Sequence, residues 1–395
     1  MAKQLQYQYD EQNLKQSEPN KYRPEDLKAE EMIVNIGPQH PSTHGVLRLE
    51  VVTDGEIIVE VVPHLGYLHR CFEKHAENLP YNQTIPFVDR MDYLAAMNSE
   101  HAFALGVEQM LGISDKIPPR VEYIRVLISE LNRLASHFVA IGTYAMDIGA
   151  YTPFLWLMRD REHIMRLLEW TCGARMLYNY IWVGGLFYDL PLGFEERCAE
   201  FVNYLRPKLL ELERLVIENK IFVERTANVG VLPLDVAINY GVSGPTLRGS
   251  GLKFDLRRVD GYSVYPELEF DIPVGEGSMG SLGDCWDRFW VRCEEMKQSA
   301  RIVRQALDLL PDGPIYAKPK KIRPTGEAWA RVESSRGDMF CYVVGAGKPT
   351  PERVHFRTGS YNAMQVVRPQ SRGVMVADLV ALIASLDVIA PEIDR

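Results

Sequence analysis

Paired cysteines are missing from this sequence. Its six cysteines, Cys71, Cys172, Cys198, Cys285, Cys293 and Cys341, include no C-x-x-C pair, so neither a disulfide framework nor an iron–sulfur or zinc knuckle is indicated. They read as reduced, mostly structural thiols of a cytosolic protein. Excess positive charge is missing too. A formal charge of -9 has the wrong sign for a surface that displaces counterions from a nucleic-acid backbone, so no nucleic-acid partner is expected. No apolar leader opens the chain: residues 1–28 are polar and rich in Gln, Glu and Lys, and a flexible arm is expected there rather than a secretory signal. The most apolar stretch, residues 138–158, is interrupted by Asp147, two glycines and Pro153. A buried helix pair is therefore expected instead of a membrane span. Internal repeats and low-complexity tracts are absent as well.

What is present is a chain of 395 residues, 46% hydrophobic and 25% charged, able to bury a large core in one elaborate domain or two fused units. β-branched runs at 33–36, 46–53 and 56–62 predict a small antiparallel sheet, the last two runs joined by the hairpin dipeptide Asp54-Gly55. In residues 119–138 the apolar Ile124, Leu127, Ile128, Leu131, Leu134 and Phe138 recur on one helical face, with Pro119 at the first position. Comparable patterns at 91–111, 154–180, 194–218 and 286–310 predict a bundle of long helices. The glycine-rich residues 241–283 read as an excursion over the surface. After Pro311 come short strands, including 339–344 and 354–357, and a closing helix at 374–386. This order predicts an α+β fold. Beyond the arm, residues 29–395 are expected to form a single domain: N-terminal sheet at 29–65, helical core at 90–310, C-terminal β region and helix at 311–395.

His40 and His44 are four apart, a metal spacing if helical, but Pro38 and Pro41 put them on a loop and argue against zinc. A loop histidine is more often a surface hydrogen-bonding residue than a catalytic one. Here two prolines stiffen the loop, glycines permit close backbone approach, and Ser42 and Thr43 offer local hydrogen bonds, so both imidazoles would be held in place.

Gly37-Pro38-Gln39-His40-Pro41-Ser42-Thr43-His44-Gly45 resembles the signature loop of the quinone-site subunit of respiratory complex I. The likeness continues through Pro63-His64-Leu65-Gly66-Tyr67-Leu68-His69-Arg70, Asp89-Arg90-Met91-Asp92-Tyr93, Leu131-Asn132-Arg133-Leu134-Ala135-Ser136-His137 and Asp147-Ile148-Gly149-Ala150. It ends with Ser385-Leu386-Asp387 and Asp394-Arg395. The resemblance implies a fold like the [NiFe] hydrogenase large subunit and a role in reducing quinone to quinol coupled to proton pumping. It further implies that His44 and Tyr93 flank the quinone headgroup, with His40 on the same loop and Asp147 supporting His44, and that Arg70 approaches a [4Fe-4S] cluster held by the neighbouring small subunit. No cofactor would belong to this chain itself. The implied partners in complex I are the small cluster-bearing B subunit, the C subunit and the membrane quinone-channel H subunit, at the cytoplasmic side of a bacterial inner membrane. The residue types suit that chemistry: an imidazole and a phenol can hydrogen-bond both quinone oxygens and release protons as charge develops there.

Two positions depart from the family. Cys71 replaces a usual glycine, and Leu177, in Gly173-Ala174-Arg175-Met176-Leu177-Tyr178-Asn179-Tyr180, replaces a frequent histidine thought to couple cluster reduction to protonation. The two metal-binding cysteine pairs of related hydrogenases correspond to Asp92 and Ala95 and to Ile389 and Glu392, so a nickel–iron centre would find no thiolates. The vacated space is expected to suit a flat, apolar quinone ring. A ferredoxin- or deazaflavin-linked quinone oxidoreductase and a non-catalytic scaffold are the competing readings.

Overall fold

Alternating burial builds the first sheet. In β2 (Arg48–Asp54), Leu49, Val51 and Thr53 are buried while their neighbours are half-buried, the period of two that gives a strand one inward face. β1 (Glu31–Ile36) and β3 (Ile57–His64) flank it, both antiparallel, and Gly55 takes the left-handed backbone (φ +60°) that the Asp54-Gly55 turn requires. The computed structural model describes residues 31–40, 45–319 and 321–395. The arm predicted for residues 1–28, the histidine-loop residues 41–44 and the side chain of His40 lie outside the described residues. The loop expected at 37–45 is partly extended: Gln39–His40 pairs with Gly45–Val46.

Five long helices follow: α1 (Ala96–Leu111), α2 (Pro119–Asp147), α3 (Tyr151–Cys172), α4 (Phe194–Leu212) and α5 (Cys285–Asp308). The apolar stripe predicted for 119–138 is buried, but so is the polar face of α2. Arg125, Glu130, Asn132, Arg133, Ser136 and His137 are all excluded from solvent because each finds a partner inside, as Arg125 does in Glu108 at 2.6 Å and Asn132 in the Met97 amide at 3.0 Å. α2 runs on to Asp147, since nothing in 139–147 breaks a helix, and Gly142 lets α3 approach so closely that a Cβ there would sit 3.3 Å from the Phe154 Cα. The apolar stretch 138–158 is thus the junction of α2 and α3. Among the described residues no helix is long and apolar enough to cross a membrane.

Boundaries differ where polar groups or glycines intervene. α1 starts at Ala96 rather than 91 because the Asp92 carboxylate accepts the Ala95 amide at 3.2 Å and closes a turn. α3 ends at Cys172 rather than 180 on a left-handed Gly173 (φ +80°). After Leu212 the chain loosens into a single π turn, Glu213–Ile217.

Residues 242–250 and 255–257 run through the interior, which corrects the surface excursion expected for that part of 241–283; most of the remainder is half-buried or exposed. The short helix Gly244–Gly249 is wholly buried, and Arg248 binds Glu295 at 2.6 Å and Glu333 at 2.7 Å. Arg257 binds Asp255 at 2.7 Å and Glu130 at 3.1 Å. Arg248 and Arg257 do not mark a surface because each has a buried carboxylate waiting on a distant element, whereas Arg258 is exposed. The glycines serve close approach: a Cβ on Gly244 (φ +67°) would lie 2.4 Å from the Gly337 Cα.

β4 (Thr325–Ser334), β5 (Gly337–Ala346) and β6 (Arg353–Arg357) form an antiparallel sheet in the order β6-β5-β4, with α1 against β4 and β5. β4 and β5 are longer than the predicted short strands. α6 (Val376–Leu386) and α7 (Ala390–Asp394) close the chain. The fold is α+β, as the order of patterns predicts.

Candidate functional site

Three parts of the chain meet at a cavity of about 180 Å³. α2 contributes Val139, Ala140, Thr143, Met146 and Asp147, whose spacing of three and four places them along one helical face. The turn before α1 adds Tyr93 and Leu94, and the segment between α6 and α7 adds Asp387 and Ile389. The walls are mainly apolar and include a phenol, a hydroxyl and two carboxylates, a composition suited to a flat ring with polar substituents.

Tyr93 and Asp147, predicted from separate motifs, line this one cavity. Burial raises the pKa of the Tyr93 phenol; the Arg336 charge opposes that rise, and Asp92 and Asp387 reinforce it. The phenol therefore stays protonated at neutral pH and can serve as a hydrogen-bond donor. His44 lies outside the described residues, but Gly45, which follows it, comes so near α7 that a Cβ there would sit 3.2 Å from the Ala390 Cβ. Ala390 in turn follows the cavity-lining Ile389. His40 is described by its backbone alone, paired with Gly45.

Arg70 is elsewhere. It is exposed, and its Nη2 donates to the Arg90 carbonyl at 2.6 Å. The chain end fixes the segment before it, since the Asp394 carboxylate accepts the Gly66 and Leu68 amides at 2.8 and 2.7 Å. Cys71 has a left-handed backbone (φ +54°), which shows why glycine suits the position. Leu177 is also left-handed (φ +59°).

Of the four positions compared above with hydrogenase cysteines, Ala95 and Ile389 are apolar, and Ile389 lines the cavity, whereas Asp92 and Glu392 belong to a buried charged cluster. Arg336, in the turn between β4 and β5, donates Nη1 to both Asp92 oxygens at 2.9 Å and Nη2 to Asp387 at 3.3 Å. Burial works against the Arg336 charge, but Asp387, Asp92 and Glu392 outweigh it and raise its pKa. Burial, and then the neighbouring Asp92, push Glu392 up to about 8. The cavity opens beside this cluster, on the Ile389 side. Sequence reasoning missed Arg336 and the apolar lining from α2; the one usable signal was the continuation of the α2 pattern past 138, which puts residues 139–147 on the face next to Asp147. Among the described residues, no His, Cys, Asp and Glu side chains gather into a group that could hold a metal ion.

The family described as respiratory-chain NADH dehydrogenase, 49 Kd subunit, matches residues 147–325 and 320–395. The chain is similar to the D subunit of NADH-quinone oxidoreductase from Amoebophilus asiaticus, 61% identical over 405 residues and covering both chains in full. It is 62% identical to a D subunit of the same enzyme in Cytophaga hutchinsonii over 392 residues, 97% of this chain and 100% of that one. The D subunit of Chlorobaculum tepidum is 56% identical over 376 residues, 94% of each chain.

Proposed function

Because the chain belongs to the family of the 49 kDa, or D, subunit of NADH-quinone oxidoreductase, and so works among the other subunits of complex I, we propose that its cavity is where quinone is reduced to quinol. The observation that supports this reading is the convergence of Tyr93 and Asp147 on one mainly apolar cavity. A quinone that takes up two electrons must also take up two protons. The Tyr93 hydroxyl donates to one quinone oxygen and His44 to the other, with His40 on the same loop. Asp147 favours the protonated form of the His44 imidazole and fixes its orientation. The apolar side chains hold the ring and exclude water, so the donors act in a low dielectric.

Electrons reach the cavity from a [4Fe-4S] cluster in the small B subunit, whose potential the exposed Arg70 tunes. The C and H subunits complete the surroundings, the latter carrying the quinone channel, and hold this chain peripherally at the cytoplasmic side of the bacterial inner membrane. Quinone reduction there drives proton pumping by the complex.

Tyr93→Phe tests the assignment in the assembled complex, because phenylalanine preserves the ring and removes only the hydroxyl. Donor:quinone turnover should fall roughly a hundredfold or more, while donor:ferricyanide activity, which bypasses quinone, stays close to wild type. Equal quinone activity in variant and wild type would make the phenol structural and favour the scaffold reading.

A further inference from the structure

Next to the cavity lies a buried cluster of acids and bases. Arg336 grips Asp92 through both oxygens and reaches Asp387, and Arg292 of α5 stands 3.9 Å from the second Asp387 oxygen. Glu392 of α7 completes the group, and all five side chains are nearly excluded from solvent. A buried carboxyl with no cation of its own keeps its proton most readily. Geometry identifies which one this is. Asp92 and Asp387 each have an arginine partner, whereas the Glu392 carboxyl accepts from the neutral Ser360 hydroxyl and leaves Oε1 without a hydrogen-bond partner among the described residues. The cluster also touches the cavity. Asp387 belongs to both, and Ser360, which donates to Glu392, accepts the amide of the cavity-lining Ile389 at 3.2 Å.

We propose that Glu392 is the proton store of this site, a carboxylic acid that passes its proton by way of Asp387 to the cavity after the bound quinone has drawn one from Tyr93. The inference rests on the quinone reading above. Quinone accepts two electrons from the donor through the partner subunits. The Tyr93 O–H bond breaks as a quinol O–H bond forms; the Glu392 O–H bond then breaks and the Tyr93 O–H bond re-forms. Glu392 is left ionised and is reprotonated from solvent before the next turnover. The transfer is downhill, because Glu392 titrates at about 8 and the Tyr93 phenol above its already more basic ordinary value. The groups that face Glu392 are Asp92 from the turn before α1, Arg336 from the β4–β5 turn, Asp387 from the end of α6 and Ser360 from the helix Gly359–Gln365. Gly45 of the histidine loop, which also approaches α7, brings no charge.

Glu392→Gln keeps the volume and an acceptor for Ser360 but holds no transferable acid proton. In the assembled complex, wild-type quinone turnover should decline as pH rises through about 8. Glu392→Gln should lower kcat at neutral pH by about tenfold or more and abolish that alkaline limb, and Glu392→Asp should restore it. Ser360→Ala removes a hydrogen bond that favours the ionised form, so it should move the limb to higher pH; it also supplies the test if Glu392→Gln does not assemble. A wild-type limb in Glu392→Gln, or an unmoved limb in Ser360→Ala, overturns the proposal. Tyr93→Phe measured alongside separates the two readings. Impaired Tyr93→Phe with unaltered Glu392→Gln removes only the proton store, whereas full quinone activity in Tyr93→Phe removes the quinone site itself.

Discussion

Asp89 and Glu100 share a site from which water is excluded. Burial raises Asp89 to about 6, and burial together with Asp89 raises Glu100 well above the usual carboxylate range. Each leaves one oxygen without a conventional donor, so a shared proton serves both. Between the ordinary aspartate value and about 6, the folded chain holds a proton that the unfolded chain has released. Stability from this pair is therefore present in acid and lost as pH rises through that window, and Glu100 extends the loss from the ordinary glutamate value up to the pH at which it ionises in the folded chain. Asp89→Asn keeps an acceptor for the Asn179 amide, 2.9 Å away, and removes one charge. Its melting temperature should depend less on pH, with a gain of about 1–3 kcal/mol at alkaline pH, read by thermal unfolding of the purified chain across pH. A parallel shift at all pH values would show that the pair does not share a proton. Residues of this kind are poorly legible in sequence. Tyr93 and Asp147 stand in recognisable motifs, but Arg336 meets Asp92 across 244 positions, and nothing local to Ser335-Arg336-Gly337 distinguishes a buried turn from an exposed one.

At the scale of elements, the long helices were legible because their apolar stripes have a clear period, whereas the segment 241–283 was not. Glycine and arginine in sequence normally mean solvent; here Arg248 and Arg257 are shielded by carboxylates from α2, α5 and β4. The same pairing explains why α2 looks amphipathic and yet is buried on both faces. Arg248→Met should consequently be far more damaging than a surface change, because it leaves Glu295, Glu333 and Asp255 without a shared cation. A loss of about 3–5 kcal/mol is expected in denaturant titration of the chain. The loss should shrink at lower pH, since burial already pushes Glu333 to about 7 and protonation relieves the unpaired charge. A loss below about 1 kcal/mol would mean that water reaches these carboxylates and the segment is not truly internal.

Over the whole molecule, chain-distant pieces meet in a few places, and the cavity is one of them. The α+β order was readable from the succession of patterns. The cavity's apolar walls could not be read from any local pattern, because they come from α2, the turn before α1 and the segment after α6, which only assembly brings together; the family resemblance alone linked Tyr93 with Asp147. Assembly also explains how Asp394, next to the last residue, can hold the segment before Arg70. The central claim is that the quinone ring occupies this cavity, and a photoreactive quinone analogue tests it most directly. After illumination of the assembled complex and peptide mapping, label is expected on Tyr93, on residues 139–147 and near Ile389, and excess unmodified quinone should suppress it. Label confined to other surfaces of this chain or to other subunits, with competition intact, would contradict the account.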